Sequence, residues 1–255
     1  MTIMTFDRPE KPPLRSWLVL AAAVVAVMTA PILAWTGIGQ PPDAFAADGD
    51  ETLRAASYAF SIWGLIYLGL LAYSVWQTLG RAPETPALRA VAWPSFIAMA
   101  GCAVWLVAAA LDLDALTVVV IVGSAAAMIV GLLRAEPYRD DLGLFSRLFI
   151  FWPLGLLAGW LTIASAINIL TVLTAWGVIG PDTARPAALA GIGAVLLVGA
   201  TVAWRLRHIA YGLPIIWGLI AVAVAEYGDQ PPVALAAVGG AVAMAIVSAL
   251  ASWRH

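Results

Sequence analysis

Three aromatic side chains recur at helical spacing in one apolar stretch of the chain. Phe60, Trp63 and Tyr67 occupy positions i, i+3 and i+7, which share one face of an α-helix. Rings on one face can wall a pocket for a flat apolar ligand, although rings at this spacing also serve as bulky packing residues. The chemistry that this stretch indicates is therefore binding by contact and stacking.

A second apolar stretch places an indole and an amide on one helical stripe. Trp160, Ala164 and Asn168 recur at i, i+4 and i+8, so the first and last lie about 12 Å apart along the helix. An amide in lipid is costly unless it forms hydrogen bonds, so Asn168 must face other helices. Two roles remain open for it, a bond between helices or a polar contact to a ligand.

The chain is rich in tryptophan, with 12 residues. Most lie near the ends of apolar stretches, where an indole prefers the membrane interface. Trp63, Trp105, Trp160 and Trp217 lie deeper, where the indole N–H needs a partner. They either pack between helices, bonded to a hydroxyl or a carbonyl, or they wall a cavity.

Composition excludes several classes of protein. Hydrophobic residues make up 63% of the 255 residues, charged residues 11%, and the mean hydropathy is +0.94, which is incompatible with a soluble globule. A net charge of -2 argues against a nucleic-acid partner. The single cysteine, Cys102, excludes an intrachain disulfide and a zinc site built from several cysteines. The composition indicates a multi-pass membrane protein.

The elements that position the aromatic residues are membrane spans, which must be helical because lipid offers the backbone no hydrogen-bond partner. We predict an all-α membrane helix bundle of eight transmembrane helices. We expect the span at 148–175 to be one tilted helix in spite of Pro153. The predicted spans are 17–35, 55–79, 93–111, 115–133, 148–175, 187–204, 209–224 and 233–253.

The distribution of basic residues predicts the orientation. All Lys and Arg residues except Arg54 and Arg185, 11 of the 13, lie in segments on the side of the N-terminus. This pattern places both termini in the cytoplasm, and we expect an integral protein of the bacterial inner membrane. The apolar run at 17–35 is too long for a signal peptide, and the cleavage-like sequence at 44–46 lies about ten residues beyond it, so we expect no cleavage there.

The predicted spans carry no acidic, basic or histidine residue near their centres. Pumps and ion-coupled carriers usually need such groups, and so does general acid–base catalysis. We therefore predict no catalytic residues, no metal site and no cofactor. Gly155 and Gly159 form a Gly-x-x-x-Gly pattern, which we interpret as close helix packing.

Several of these motifs are similar to those of a known family. They are Trp63-x-x-x-Tyr67 preceded by Phe60, Trp160-x-x-x-Ala164-x-x-x-Asn168, and Trp105, which follows by three residues a position where that family has asparagine and this chain has Cys102. Leu156 stands where the family has proline. Over residues 16–177 the chain resembles the TspO/MBR family, the tryptophan-rich sensory proteins related to the mitochondrial translocator protein.

The resemblance implies a five-helix bundle over residues 16–177, following a cytoplasmic tail at 1–15. Residues 178–255 then form three additional helices without a counterpart in that pattern. The family is often dimeric, and the loop between its first two helices closes a pocket. The equivalent loop here, residues 37–54, is either a lid or a loose connection.

Members of the family are associated with porphyrins, sterol-like molecules and stress regulation. The resemblance therefore implies a protein that binds a planar hydrophobic ligand, such as a porphyrin or another tetrapyrrole or a sterol-like molecule, and has a sensory or transport role. Its expected partners are membrane lipids, that ligand and a second copy in a homodimer. The ligand-binding residues predicted are Phe60, Trp63, Tyr67, Trp105, Trp160, Ala164 and Asn168.

Two other functions remain open from the sequence. All eight helices could surround a path for a small neutral or lipid-like solute, which would make the protein a facilitator-type carrier. Alternatively, the chain is a structural subunit of a larger membrane assembly. We do not expect it to be an enzyme.

Overall fold

The computed structural model describes residues 12–79, 82 and 84–254. Within these residues, eight helices are long and apolar enough to cross a membrane, and each coincides with a predicted span. The all-α multi-pass bundle is thus confirmed, and the region around Pro153 is one helix. The helices are α1 (Leu14–Thr36), α2 (Pro42–Ala47), α3 (Ile62–Leu79), α4 (Pro86–Ala110), α5 (Asp114–Ala135), α6 (Leu144–Ala175), α7 (Pro181–Leu206), α8 (Ile209–Glu226) and α9 (Pro231–Ser252).

Part of the predicted tail, residues 1–11, lies outside the described residues, and so does Arg81. Proline and glycine mark several helix ends in the described part. Pro86, Pro181 and Pro231 begin α4, α7 and α9, where the missing N–H costs no helical bond. At the end of α1, Gly37 adopts a φ of +66° and its N–H donates to Leu33 O at 3.0 Å, a left-handed cap that glycine forms readily.

The first five spans close into a ring. Helix α1 packs against α3 and α4, α4 packs against α5, α5 against α6, and α6 against α3. The other three spans adjoin this ring through α6, which contacts both α7 and α8, while α9 packs against α7 and α8. Helix α6 therefore contacts both groups of helices, and most of its length is buried.

Close contact between α6 and α8 depends on the two glycines of α6. A Cβ atom added at Gly159 would lie 2.0 Å from the backbone oxygen of Tyr211, and one at Gly155 would lie 3.1 Å from the Cβ of Ala210. The packing interpretation of the Gly-x-x-x-Gly pattern is therefore confirmed. Beside it, the hydroxyl groups of Thr162 and Tyr211 lie 2.9 Å apart and are hydrogen-bonded.

At the end of the bundle where the described chain begins, called here the N-terminal end, a buried arginine joins the two groups of helices. Arg139, in the connection between α5 and α6, donates from Nη1 to the backbone oxygens of Leu206 and Arg207 at 3.2 and 2.8 Å. Arg207 in turn pairs with Glu136 at 2.6 Å. A cation on the last carbonyls of α7 stabilises that helix end.

His208 lies in the short turn between α7 and α8 and caps the start of α8. Its Nδ1 accepts from the backbone N–H of Ala210 at 3.3 Å, and its ring contacts Phe151 and Trp152. Burial, with a smaller contribution from the neighbouring Arg139, lowers the pKa of His208 to about 4. The imidazole is therefore neutral near pH 7, as its acceptor role requires.

The opposite end of the bundle, called the cap end, is covered by residues 37–54, which we name the cap. Helix α2 lies within the cap and buries Phe45, which is 3% exposed. Gln40 N–H donates to Ala110 O at 3.1 Å, and the hydroxyl groups of Thr52 and Thr174 are bonded at 2.7 Å. The cap is thus folded against α4 and α6, so the loose connection considered from the sequence is not what the structure shows.

Candidate functional site

A cavity of about 520 Å³ lies beneath the cap, on the side of the ring that α3, α4, α5 and α6 form. Its wall includes every residue that the sequence predicted for ligand binding, drawn from the turn before α3 and from α3, α4 and α6. These residues are Phe60, Trp63, Tyr67, Trp105, Trp160, Ala164 and Asn168. The volume falls within the range of pockets that enclose small organic molecules.

Aromatic rings from separate helices meet in this wall. The rings of Trp63 and Tyr67 are stacked, with centroids 5.0 Å apart and planes inclined by 27°. The indole of Trp160 meets Trp63 edge-on at 6.2 Å. On the cap side, Phe45 meets Trp105 edge-on at 5.9 Å. The rings therefore present both faces and edges to one cavity, which suits a flat apolar molecule.

Asn168 connects three helices at the side of the cavity. Its Oδ1 accepts from the indole Nε1 of Trp105 in α4 at 2.7 Å, and its Nδ2 donates to Thr117 Oγ1 in α5 at 2.9 Å. Asn168 thus fills the helix-joining role that the sequence left open. One amide hydrogen remains for a contact to a ligand, since an amide group carries two donors.

Trp217 is the deep tryptophan that does not line this cavity. Its Nε1 donates to the backbone oxygen of Ala59 at 3.1 Å, and its ring meets Tyr58 edge-on at 5.2 Å. It therefore packs α8 against the turn at Ser57–Ser61 that leads into α3. Of the four deep tryptophans, three converge on the cavity and Trp217 has the packing role.

Part of the wall comes from the cap, which lies outside the sequence motifs. Phe45, Leu53 and Arg54 line the cavity, and Phe45 and Leu53 are each 3% exposed. The sequence feature that could have indicated this contribution is the presence of large apolar residues in a loop otherwise rich in glycine, proline and acids. Cys102, which stands where the TspO/MBR family has asparagine, also lines the wall and is 4% exposed.

Charge is confined to the mouth of the cavity, next to the cap. Among the described lining residues, only Asp50 and Arg54 are charged, and the interior offers hydroxyl, thiol and amide groups beside apolar surface. Within the described part of the chain, no three His, Cys, Asp or Glu side chains are grouped so that they could hold a metal ion. The arrangement can enclose, stack and hydrogen-bond an apolar molecule.

Comparison with known proteins identifies the family. A family described as "TSPO-like protein" matches residues 16–250, so the match continues through the last three spans, beyond the residues 16–177 that carry the motifs. No curated protein and no solved structure matches the chain. With the match covering most of the chain and the bundle built from membrane-spanning helices, the protein belongs to the TSPO-like family of integral membrane proteins.

Proposed function

We propose that the cavity beneath the cap binds a planar, largely apolar molecule, such as a tetrapyrrole or a sterol-like compound, and that the protein senses or transports it. The observation that carries this proposal is the meeting of three indoles, Trp63, Trp105 and Trp160, from three helices in one cavity. A cavity lined by separate helices couples ligand binding to helix packing, which a sensor or a transporter needs.

The contacts of the lining residues favour a flat ligand. The stacked pair of Trp63 and Tyr67 offers a broad planar surface, and Ala164, one turn from Trp160 on the same face of α6, adds only a small side chain to the wall. A tetrapyrrole bound here would be held by stacking and by hydrogen bonds, because no histidine lines the described wall. Phe60, Trp105 and Asn168 complete the proposed set of ligand-binding residues.

The carrier alternative gains support from a second cavity. A space of about 690 Å³ lies at the cap end and shares Asp50 and Arg54 with the aromatic cavity. Two adjoining spaces at the cap end would give a solute a way into the bundle from that side. Flux of a neutral solute into liposomes, without measurable affinity for a porphyrin, would favour the carrier over the sensor.

We also propose an orientation for the protein in the cell membrane. The described arginines Arg15, Arg139, Arg147 and Arg207 lie at the N-terminal end, which supports a cytoplasmic position for that end in a bacterial inner membrane. A cysteine introduced as Arg254→Cys in a Cys102→Ser background should then react with an impermeant reagent only in inverted vesicles. The family resemblance adds a homodimer, which crosslinking in native membranes tests.

A porphyrin titration of the purified protein tests the proposed binding. Trp160→Phe should weaken the affinity measured from the porphyrin absorption band by about three- to tenfold, because a large stacking surface is lost. Trp253→Phe is the control, since that indole is 79% exposed and lies outside the cavity, and it should change the affinity by less than about twofold. Equal effects of the two substitutions would contradict the proposal.

A further inference from the structure

Residues 52–59, which are the last residues of the cap and the segment that follows it, are held by α8 and by the turn between α8 and α9. We call these residues the rim segment. The backbone N–H of Ala56 donates to Ala221 O in α8 at 3.1 Å, and Gln230 Nε2 donates to Thr52 O at 3.3 Å. Together with the bond from Trp217 to Ala59, these contacts fix the rim along its whole length. The rim lies on one side of the aromatic cavity, since Leu53, Ala55, Ser57 and Ala59 are among its lining residues.

Arg54 forms the strongest connection between the rim and the end of α8 with the turn that follows it. Its backbone N–H donates to Glu226 Oε1 at 3.0 Å, and its guanidinium donates to Ala225 O at 3.0 Å and pairs with Asp229. Glu226, at the end of α8, is 1% exposed. Each of these bonds has at least one charged partner, and such hydrogen bonds are stronger than those between two neutral groups.

Arg54 also lies between two cavities. One is the aromatic cavity, and the other, which we name the vestibule, is the space of about 690 Å³ that shares Asp50 and Arg54 with it. The vestibule is strongly acidic: its described lining has five carboxylates and two arginines. The carboxylates belong to Asp50, Glu51, Asp182, Glu226 and Asp229, and the second arginine is Arg185.

We propose that the vestibule is the entrance to the aromatic cavity and that Arg54, held by Glu226 and Asp229, is the latch that keeps it closed. The end of α8 and the turn that follows it then control access to the site. The acidic lining selects against anions, so of the proposed ligand types it favours a neutral sterol-like molecule, or a porphyrin without free carboxylates, over a carboxylated tetrapyrrole. This inference rests on the proposed function for its ligand, but the gate can be tested without one.

Cys102 provides that test, because it is the only cysteine of the chain and lines the aromatic cavity at 4% exposure. Its modification by a small thiol reagent therefore reports access to the cavity. Methyl methanethiosulfonate is uncharged, so its rate does not depend on the charge of the vestibule. Cys102→Ser serves as the blank for reaction elsewhere.

Breaking the latch should speed this modification. We expect the Glu226→Gln/Asp229→Asn variant to react about tenfold faster than the native chain, because charged hydrogen bonds that hold Arg54 are lost. The control is Glu84→Gln, which removes the partner of Arg15 in an ion pair at the N-terminal end and should leave the rate unchanged. An equal rate in the native chain and the double variant would overturn the latch.

A milder variant covers the case in which the double variant does not fold. The side chain of Asp229 is 66% exposed, so Asp229→Asn removes one charge without disturbing packing. We expect its modification rate to rise by about threefold, the size of effect that a half-exposed ion pair supports. A rate equal to that of the native chain would count against the latch in this variant as well.

The route is tested with a matched pair of charged reagents, trimethylammonium-ethyl and sulfonatoethyl methanethiosulfonate, each normalised to its rate with a free thiol. The cation should modify Cys102 at least about threefold faster than the anion, and salt should reduce the ratio. Equal normalised rates, or a faster anion, would overturn the vestibule as the entrance.

The two proposals fail separately. If no porphyrin binds but the modification rates follow the expectation, the proposed ligand is wrong and the proposed gate is supported. If porphyrin binds and protects Cys102 while the latch variants react like the native chain, the site stands and the gate is wrong.

Discussion

The two faces of α6 have opposite relations to their neighbours. The face that carries Gly155 and Gly159 meets α8 so closely that the added Cβ of an alanine has no room. The face that carries Trp160, Ala164 and Asn168 borders a cavity of about 520 Å³. We call the first the solid face of α6, because it packs tightly against α8, and the second the hollow face, because it borders the cavity. The size of the side chains on each face decides the difference: small residues let backbones touch, whereas a bulky ring holds the neighbouring helix away.

A single methyl group on the solid face should have the largest effect on stability. In Gly159→Ala, the new Cβ would lie 2.0 Å from Tyr211 O, so α6 and α8 must move apart. We expect a loss of about 1–3 kcal/mol in the free energy of unfolding, measured by thermal melting in detergent. The control is Gly193→Ala in α7, where nothing lies within 4 Å of the new atom. A similar loss in both variants would remove the distinction.

A much larger addition on the hollow face should be tolerated by the fold and should block the site. Ala164→Leu extends into the cavity, so we expect the melting temperature to stay within a few degrees of that of the native chain. Porphyrin affinity should fall by about tenfold or more, since the ligand loses its space. Unchanged affinity with unchanged stability would show that the ligand does not occupy the space beside Trp160.

Removing the amide on the hollow face should have a smaller effect on stability. Asn168→Ala removes the acceptor of Trp105 and the donor to Thr117. Hydrogen bonds between membrane helices contribute about 0.6 kcal/mol each, so we expect a loss of about 1 kcal/mol in unfolding experiments. Thr201→Ala is the control, because its hydroxyl bonds only the backbone of its own helix. A loss no greater than that of the control would contradict this account.

The smallest effect should come from the cap that covers the hollow face. Burial raises the pKa of Asp48 above its usual 3.8, and Asp112 and Asp114 add to the shift. A raised pKa in the folded state means that stability is lost as the pH rises through it. Asp48→Asn should therefore tighten the cap at pH 7 and slow Cys102 modification by less than about twofold. The difference from the native chain should shrink as the pH falls toward 4; a difference that grows would contradict this sign.

The spans and the aromatic stripes were predictable because both depend on local periodicity. Hydropathy alone located eight helices, and the i, i+4 spacing from Trp160 to Asn168 placed those residues on one face. Their convergence with Trp63 and Trp105 on a cavity matches the expected arrangement, while their role in ligand binding stays a prediction. Trp217, equally deep by sequence, could not be told from the others, because its partner, the oxygen of Ala59, is 158 residues away.

The cap and the contact between the two groups of helices were not predictable in the same way. Phe45 lies in a six-residue helix, too short to show periodicity, and its burial depends on Trp105 in a different helix. Nothing near Gly155 in sequence identifies α8 as the partner. Arg54 and Glu226 each appeared as isolated charges at span ends, and only the fold brings them together.

The separation of Arg54 from Glu226, 172 residues, has a consequence for how the protein is made. A ribosome inserts the chain from its N-terminus, so the helices around the cavity enter the membrane long before the end of α8 is synthesised. During that interval Arg54 has neither Glu226 nor Asp229 as a partner. The proposed latch can therefore form only when translation is nearly complete.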